Sequence, residues 1–177
     1  MNLPCIRLRR FVYRAHNPRW SFAPESGEGA RLHGGRFNPP GVDALYTCLR
    51  PETAWLEGQQ GFPFKPQPLT LCAYTVDCRD VVDLTSETTR TALGISVNDL
   101  ACPWEAIADR KVQPPTWRLA EMLIAQGCAG LLAPSFAPGS NGDDINAVFW
   151  RWSPEPPHRL RIIDDEGRLP RTADAWQ

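Results

Sequence analysis

The chain has 177 residues and a mass of 19.8 kDa, with 42% hydrophobic and 22% charged residues, the size and balance of one domain with its own core rather than two. Eighteen prolines and thirteen glycines argue against long helices, coiled coils and helical bundles, and for short elements joined by turns. A net charge of −1 and a pI near 6.3 supply no overall field toward nucleic acid or an anionic membrane, so binding rests on a local site.

Arg9 to Ala15 reads as a strand, with Arg10, Val12 and Arg14 on one face and Phe11 and Tyr13 on the other. Asn17 to Pro40 is rich in Gly, Pro, Ser and Asn and long for a connection; ordered loops of that length usually carry function. Ala44 to Cys48 forms a short strand, and a helix follows from Pro51, which suits the first helical position, with Glu52 at the positive end of its dipole. Leu69 to Val76 alternates as a strand, Val81-Val82 is a second short one, and short helices fit Ser86 to Gly94 and Trp104 to Arg110.

Pro115 to Gln126 is the best helix, with Leu119, Met122 and Leu123 at core spacing and Gly127 placed to close it. Gly130 to Ala133 is a buried strand running into Pro134-Ser135, a polar loop and the aromatic strand Ile145 to Trp152. Arg159 to Ile163 is the last strand, and a polar, poorly fixed tail covers 164–177 after a domain spanning 1–163. Strands lying before, between and after short helices predict an α+β fold.

Dividing the chain after Gln60 leaves eight basic against five acidic residues in the first part, which is mildly cationic. Seventeen of the nineteen basic residues are arginines, a bias that suits planar recognition of carboxylate or phosphate and that coding bias explains equally well. Six scattered cysteines without a CxxC pair read as buried free thiols rather than a zinc site. Neither a signal region nor a membrane-length apolar run is present, and a cytoplasmic protein without membrane contact is expected.

The chemistry concentrates in GGRFNPPG (34–41). Two glycines allow a tight turn or close approach to a ligand, and the Arg36 guanidinium can form two parallel bonds to a phosphate, with Phe37 and Asn38 beside it. An ordinary surface turn with a solvated arginine fits the same residues. Tyr46 lies on the next strand and Glu57 on the helix after it, so both can face one cleft. In ETAWLEG a carboxylate is costly without a partner or a task, although an exposed acid on the outer helix face is an equal alternative.

The ordered series YRA (13–15), GGRFNPPG (34–41), LYT (45–47), PETAWLE (51–57) and APS (133–135) resembles the RES domain, from Phe11 through Trp152. The resemblance implies a single α+β domain similar to ADP-ribosyltransferases, with short strands in two small sheets around an NAD cleft and flanking short helices. It implies the toxin of a toxin–antitoxin module, which consumes NAD as substrate by transferring ADP-ribose to a protein, phosphate or water. The expected partner is a small helical DNA-binding antitoxin, and direct nucleic-acid binding by this chain is not expected.

By position the resemblance assigns Arg36, Tyr46 and Glu57 as the motif arginine, tyrosine and glutamate, Ser135 as the motif serine, and Arg14 as the arginine ending the first strand. Glu57 would stabilise the ribose cation, Arg14 and Arg36 the diphosphate, and Tyr46 would offer a ring face or a hydroxyl, with Ser135 and Asn38 also contacting the ligand and no metal involved. Phe37 stands where the family more often has tryptophan, and either Asn141 or Asn146 matches its asparagine. Two other classes stay open: an RNA-cleaving toxin using Arg14, Arg36 and His16 or His33, and a nucleotide-binding module without catalysis.

Overall fold

The computed structural model describes residues 3–60 and 64–176, so residues 1–2 and 177 at the ends of the expected ranges lie outside the described residues. Six strands, β1 (Cys5–His16), β2 (Leu45–Cys48), β3 (Thr70–Asp83), β4 (Gly130–Pro134), β5 (Ile145–Phe149) and β6 (His158–Ile162), form one sheet in the order β1-β2-β5-β4-β3-β6. Because β1 also pairs with β3, the first five close into a small barrel, with β6 on the edge of β3. An α+β domain is therefore observed, but its strands make a single closed sheet, not two small ones.

The reason lies in β3. The polar stretch Asp77-Cys78-Arg79-Asp80 interrupts the hydrophobic pattern and splits the strand when read from sequence, yet the backbone runs through it. Asp80 takes φ 61°, and there the strand exchanges its antiparallel neighbour β6 (Tyr74 to Cys78) for the parallel neighbour β4 (Val81 to Asp83). Along its other edge β3 pairs with β1 from His16↔Thr70 to Cys5↔Val82, whereas β1 and β2 share one register pair, Tyr13↔Cys48.

Alternation along the strands feeds two cores. Val12, Leu45, Tyr74, Val81, Leu132, Ala147 and Phe149 fill one cluster. Val82, Leu131 and Val148, one residue out of phase, form the other with Leu119, Ala120 and Leu123 of α6. The helices are α1 (Glu28–His33), α2 (Pro51–Gln59), α3 (Glu87–Leu93), α4 (Val97–Leu100), α5 (Trp104–Asp109) and α6 (Pro115–Ala125). Thus the long segment 17–40 contains a helix, and α4, capped by reciprocal bonds between Ser96 and Asp99, was not anticipated.

Five cysteines are buried, but Cys5 is exposed, and all six are free. The segment after β6 is anchored at its start: the Asp164 carboxylate accepts from the amides of Arg168 (2.7 Å) and Leu169 (3.2 Å), and Leu169 packs on the core. Among the described residues no helix is long and apolar enough to cross a membrane.

Candidate active site

Helix α2 starts three residues after β2, and Pro51 at its first turn fixes the φ it needs. Thr53 and Glu57, four residues apart, lie on one face of it. Both reach the segment that joins β4 to β5. Thr53 Oγ1 donates to Asp144 Oδ1 at 2.5 Å, and Asp144 Oδ2 accepts from the Asn141 amide at 2.8 Å, which pins this loop to the helix. These bonds hold the Asp144 carboxyl below its usual range, with the Thr53 bond the largest cause.

One turn on, Glu57 Oε1 accepts two short hydrogen bonds, from Ser135 Oγ at 2.6 Å and from Asn146 Nδ2 at 2.6 Å. The Gln60 side-chain Nε2 donates to Oε2. Glu57 is therefore a partnered carboxylate and not a free acid on the outer helix face. Asn146 is the asparagine at this site; the Asn141 side chain instead accepts from the Asp143 amide. The Cys48 thiol donates to Asn146 Oδ1 at 3.2 Å, and burial pushes that thiol's pKa up, with Glu57 and Asp144 adding to the shift.

The 34–38 loop is built around Tyr46. Its hydroxyl accepts from the Phe37 amide at 2.8 Å and donates to Asn38 Oδ1 at 2.7 Å, and burial raises its pKa. A Cβ on Gly35 would come within 2.5 Å of that hydroxyl, so only glycine fits. Asn38 is 0% exposed, and its amide donates to the carbonyls of Ala30, Pro39 and Val42. Expected to touch the ligand, Asn38 instead holds the loop closed, because every polar atom it has is already bonded.

Two guanidiniums are set by backbone carbonyls. Arg14 Nη1 donates to Pro24 O and Ser26 O, each at 3.0 Å. Arg36 Nη1 donates to Leu100 O at 2.9 Å and Cys102 O at 2.7 Å, with its centre 5.2 Å from the Phe136 ring. Desolvation lowers both pKa values, and the charge of Glu57 works against this at Arg36. His16 Nε2 bonds Ser21 Oγ at 3.2 Å, while its Nδ1 has no partner. Burial, then the Arg14 charge, pushes its pKa down to about 4.

Arg14, His16, Tyr46, Cys48, Glu57 and Asn146 line one cavity of about 310 Å³, within the range of small-ligand sites. Ser135 reaches it only through Glu57, and Arg36 stands outside its wall. Sequence reasoning missed Thr53, Asp144 and Cys48, whose roles depend on contacts across the sheet that no local pattern marks. Among the described residues no three His, Cys, Asp or Glu side chains gather as a metal site requires.

A family model described as the RES domain matches residues 11–172. No curated protein matches the chain in sequence. Among solved structures, the fold is similar to one in the crystal structure of the M. tuberculosis MbcT-MbcA toxin-antitoxin complex, with a TM-score of 0.64 and 21% identity over 90% of this chain and 84% of that one.

Proposed function

The chain belongs to the RES-domain family, and from that premise we propose that it is the toxin of a toxin–antitoxin pair and breaks the bond between nicotinamide and ribose in NAD. The observation that carries this reading is the Glu57 carboxylate, gripped by Ser135 and Asn146 through one oxygen at the wall of a cavity that Arg14 also lines.

Nicotinamide departs as a neutral ring, taking the electron pair of the breaking C–N bond, so no acidic group is needed to protonate it. What the reaction requires is negative charge beside the ribose carbon as it turns cationic, held so that little reorganisation is left to do. Two donors on one oxygen and the Gln60 side chain on the other fix the carboxylate at the cavity wall. The acceptor then bonds the ribose carbon from the open side and releases its proton; water, phosphate or a protein side chain all satisfy this balance.

Ser135 acts as a donor and not as a nucleophile, since its hydroxyl proton points at Glu57 and no histidine contacts it. Arg14 and Arg36, with Nη1 anchored, present their remaining N–H groups for the diphosphate. The ring of Tyr46 is what it offers the nicotinamide, because its hydroxyl is committed to the loop. An RNA-cleaving reading gains less support: His16 is held at about 4, away from the neutral range that general acid–base work uses, and His33 lines a different groove from the Glu57 cavity.

The test is direct. The purified chain incubated with NAD should release nicotinamide, and a similar incubation with RNA should leave the RNA intact. Unchanged NAD after hours at micromolar protein would overturn the reading. Product masses with and without phosphate, and with candidate proteins, identify the acceptor. Co-purification with the product of an adjacent reading frame, with loss of NAD cleavage in the complex, tests the antitoxin.

A further inference from the structure

Beyond the Arg36 loop lies a larger groove, about 840 Å³, lined by Gly34, Trp104, Glu105, Asp109 and Trp117 among others. Two bonds tie it to the loop. The Cys102 carbonyl that accepts from Arg36 at 2.7 Å also accepts from the Trp104 amide at 2.8 Å. Trp117 Nε1 donates to Gly35 O at 2.7 Å, and a Cβ on Gly34 would approach the Trp117 ring to 3.3 Å. The charges of Glu57 and Glu105 both act on Arg36 against its desolvation. The loop bearing Arg36 is thus tied by hydrogen bonds to the tryptophan groove, and the charge of Glu57 reaches Arg36 as well.

The two indoles stand 6.2 Å apart between centroids and are tilted by 44°, so they touch each other and leave their outer faces, rather than a gap between them, to the groove. A flat aromatic ring is a ligand that such a face accepts, since stacking on one indole tolerates any base. The carboxylates of Glu105 and Asp109, which line the groove together with Lys111, are acceptors for an exocyclic amino group.

We propose that the Trp104–Trp117 groove seats the adenine end of the dinucleotide. This rests on NAD being the substrate cleaved at Glu57. AMP, which lacks the reacting half, is the probe, titrated by calorimetry. The wild-type chain binds it. Trp104→Ala weakens binding about tenfold, the scale of one lost base stack, whereas Trp104→Phe stays within about threefold.

With NAD, Trp104→Ala raises KM by a similar factor and keeps kcat within about twofold, as expected of a contact remote from the reacting carbon. Ala108→Trp, which fills the groove from α5 without removing packing, serves as the second variant and abolishes AMP binding. No AMP binding by the wild-type chain at millimolar concentration, or unaltered binding in both folded variants, overturns the proposal. A wild-type chain that binds AMP at this groove but never releases nicotinamide leaves the groove standing and removes the NAD-cleavage reading.

Discussion

Ser135 and Glu57, 78 positions apart in the chain, meet hydroxyl to carboxylate at 2.6 Å. Glu57→Gln keeps an oxygen for Ser135 and Asn146 while removing the charge and the acceptor that Gln60 uses. Affinity for NAD should stay within several-fold while kcat falls by about a hundredfold or more, the scale of one transition-state electrostatic contact. Calorimetry against NAD and nicotinamide release measure the two; equal turnover removes Glu57 from its role.

Asn146 supplies the second donor to the same oxygen at 2.6 Å. Asn146→Ala loses that donor, but Asn146→Asp sets a second carboxylate against the first, and the two negative charges repel when both are ionised. At pH 8 the aspartate variant should therefore be the less active of the two. The gap should close as pH falls and the pair takes up a proton, and rates from pH 5.5 to 8 reveal it.

Tyr46→Phe strands two buried partners, the Phe37 amide and Asn38 Oδ1. We expect a loss of about 2 kcal/mol of stability, the cost of leaving buried hydrogen-bonding groups unmade, together with a higher KM for NAD because the loop bearing Arg36 loosens. Urea denaturation and steady-state kinetics check these. A variant as stable as the wild type would show that water replaces the phenol.

His16 is 7% exposed with its pKa pushed from 6.5 down to about 4. Between those values the unfolded chain takes up a proton that the folded chain refuses. Stability should accordingly be lost as pH falls from about 6.5 toward 4, by roughly 2 kcal/mol once solvent screening is allowed for. His16→Gln should flatten that part of the profile, as denaturation midpoints across the window will show.

The elements with strong local chemistry were legible from sequence. Pro51 and Pro115 begin helices, Ser86 and Gly94 bracket α3, and Gly127 closes α6 at φ 89°. The barrel was not legible, because closure depends on β1 pairing with β3 along nearly its whole length, a relationship between segments rather than a property of either. The Ser96–Asp99 capping box was a readable signal for α4.

At the candidate site, Glu57 stood out as a carboxylate in an apolar stretch and Ser135 as a hydroxyl closing a buried strand. Strand phase favours Asn146 over Asn141, since Asn146 shares a face with Val148 within β5 while Asn141 precedes the strand. Asn38 misled for a physical reason: a residue suited to ligand contact is equally suited to satisfying backbone carbonyls in a turn, and only burial separates the two.

A ring tied unevenly gives way where it is thinnest. Between β1 and β2 the closure consists of Tyr13↔Cys48 alone, and both residues belong to the wall of the Glu57 cavity. The seam between β1 and β2 therefore holds the fewest ladder pairs of the ring, and the pocket lies on that side of it.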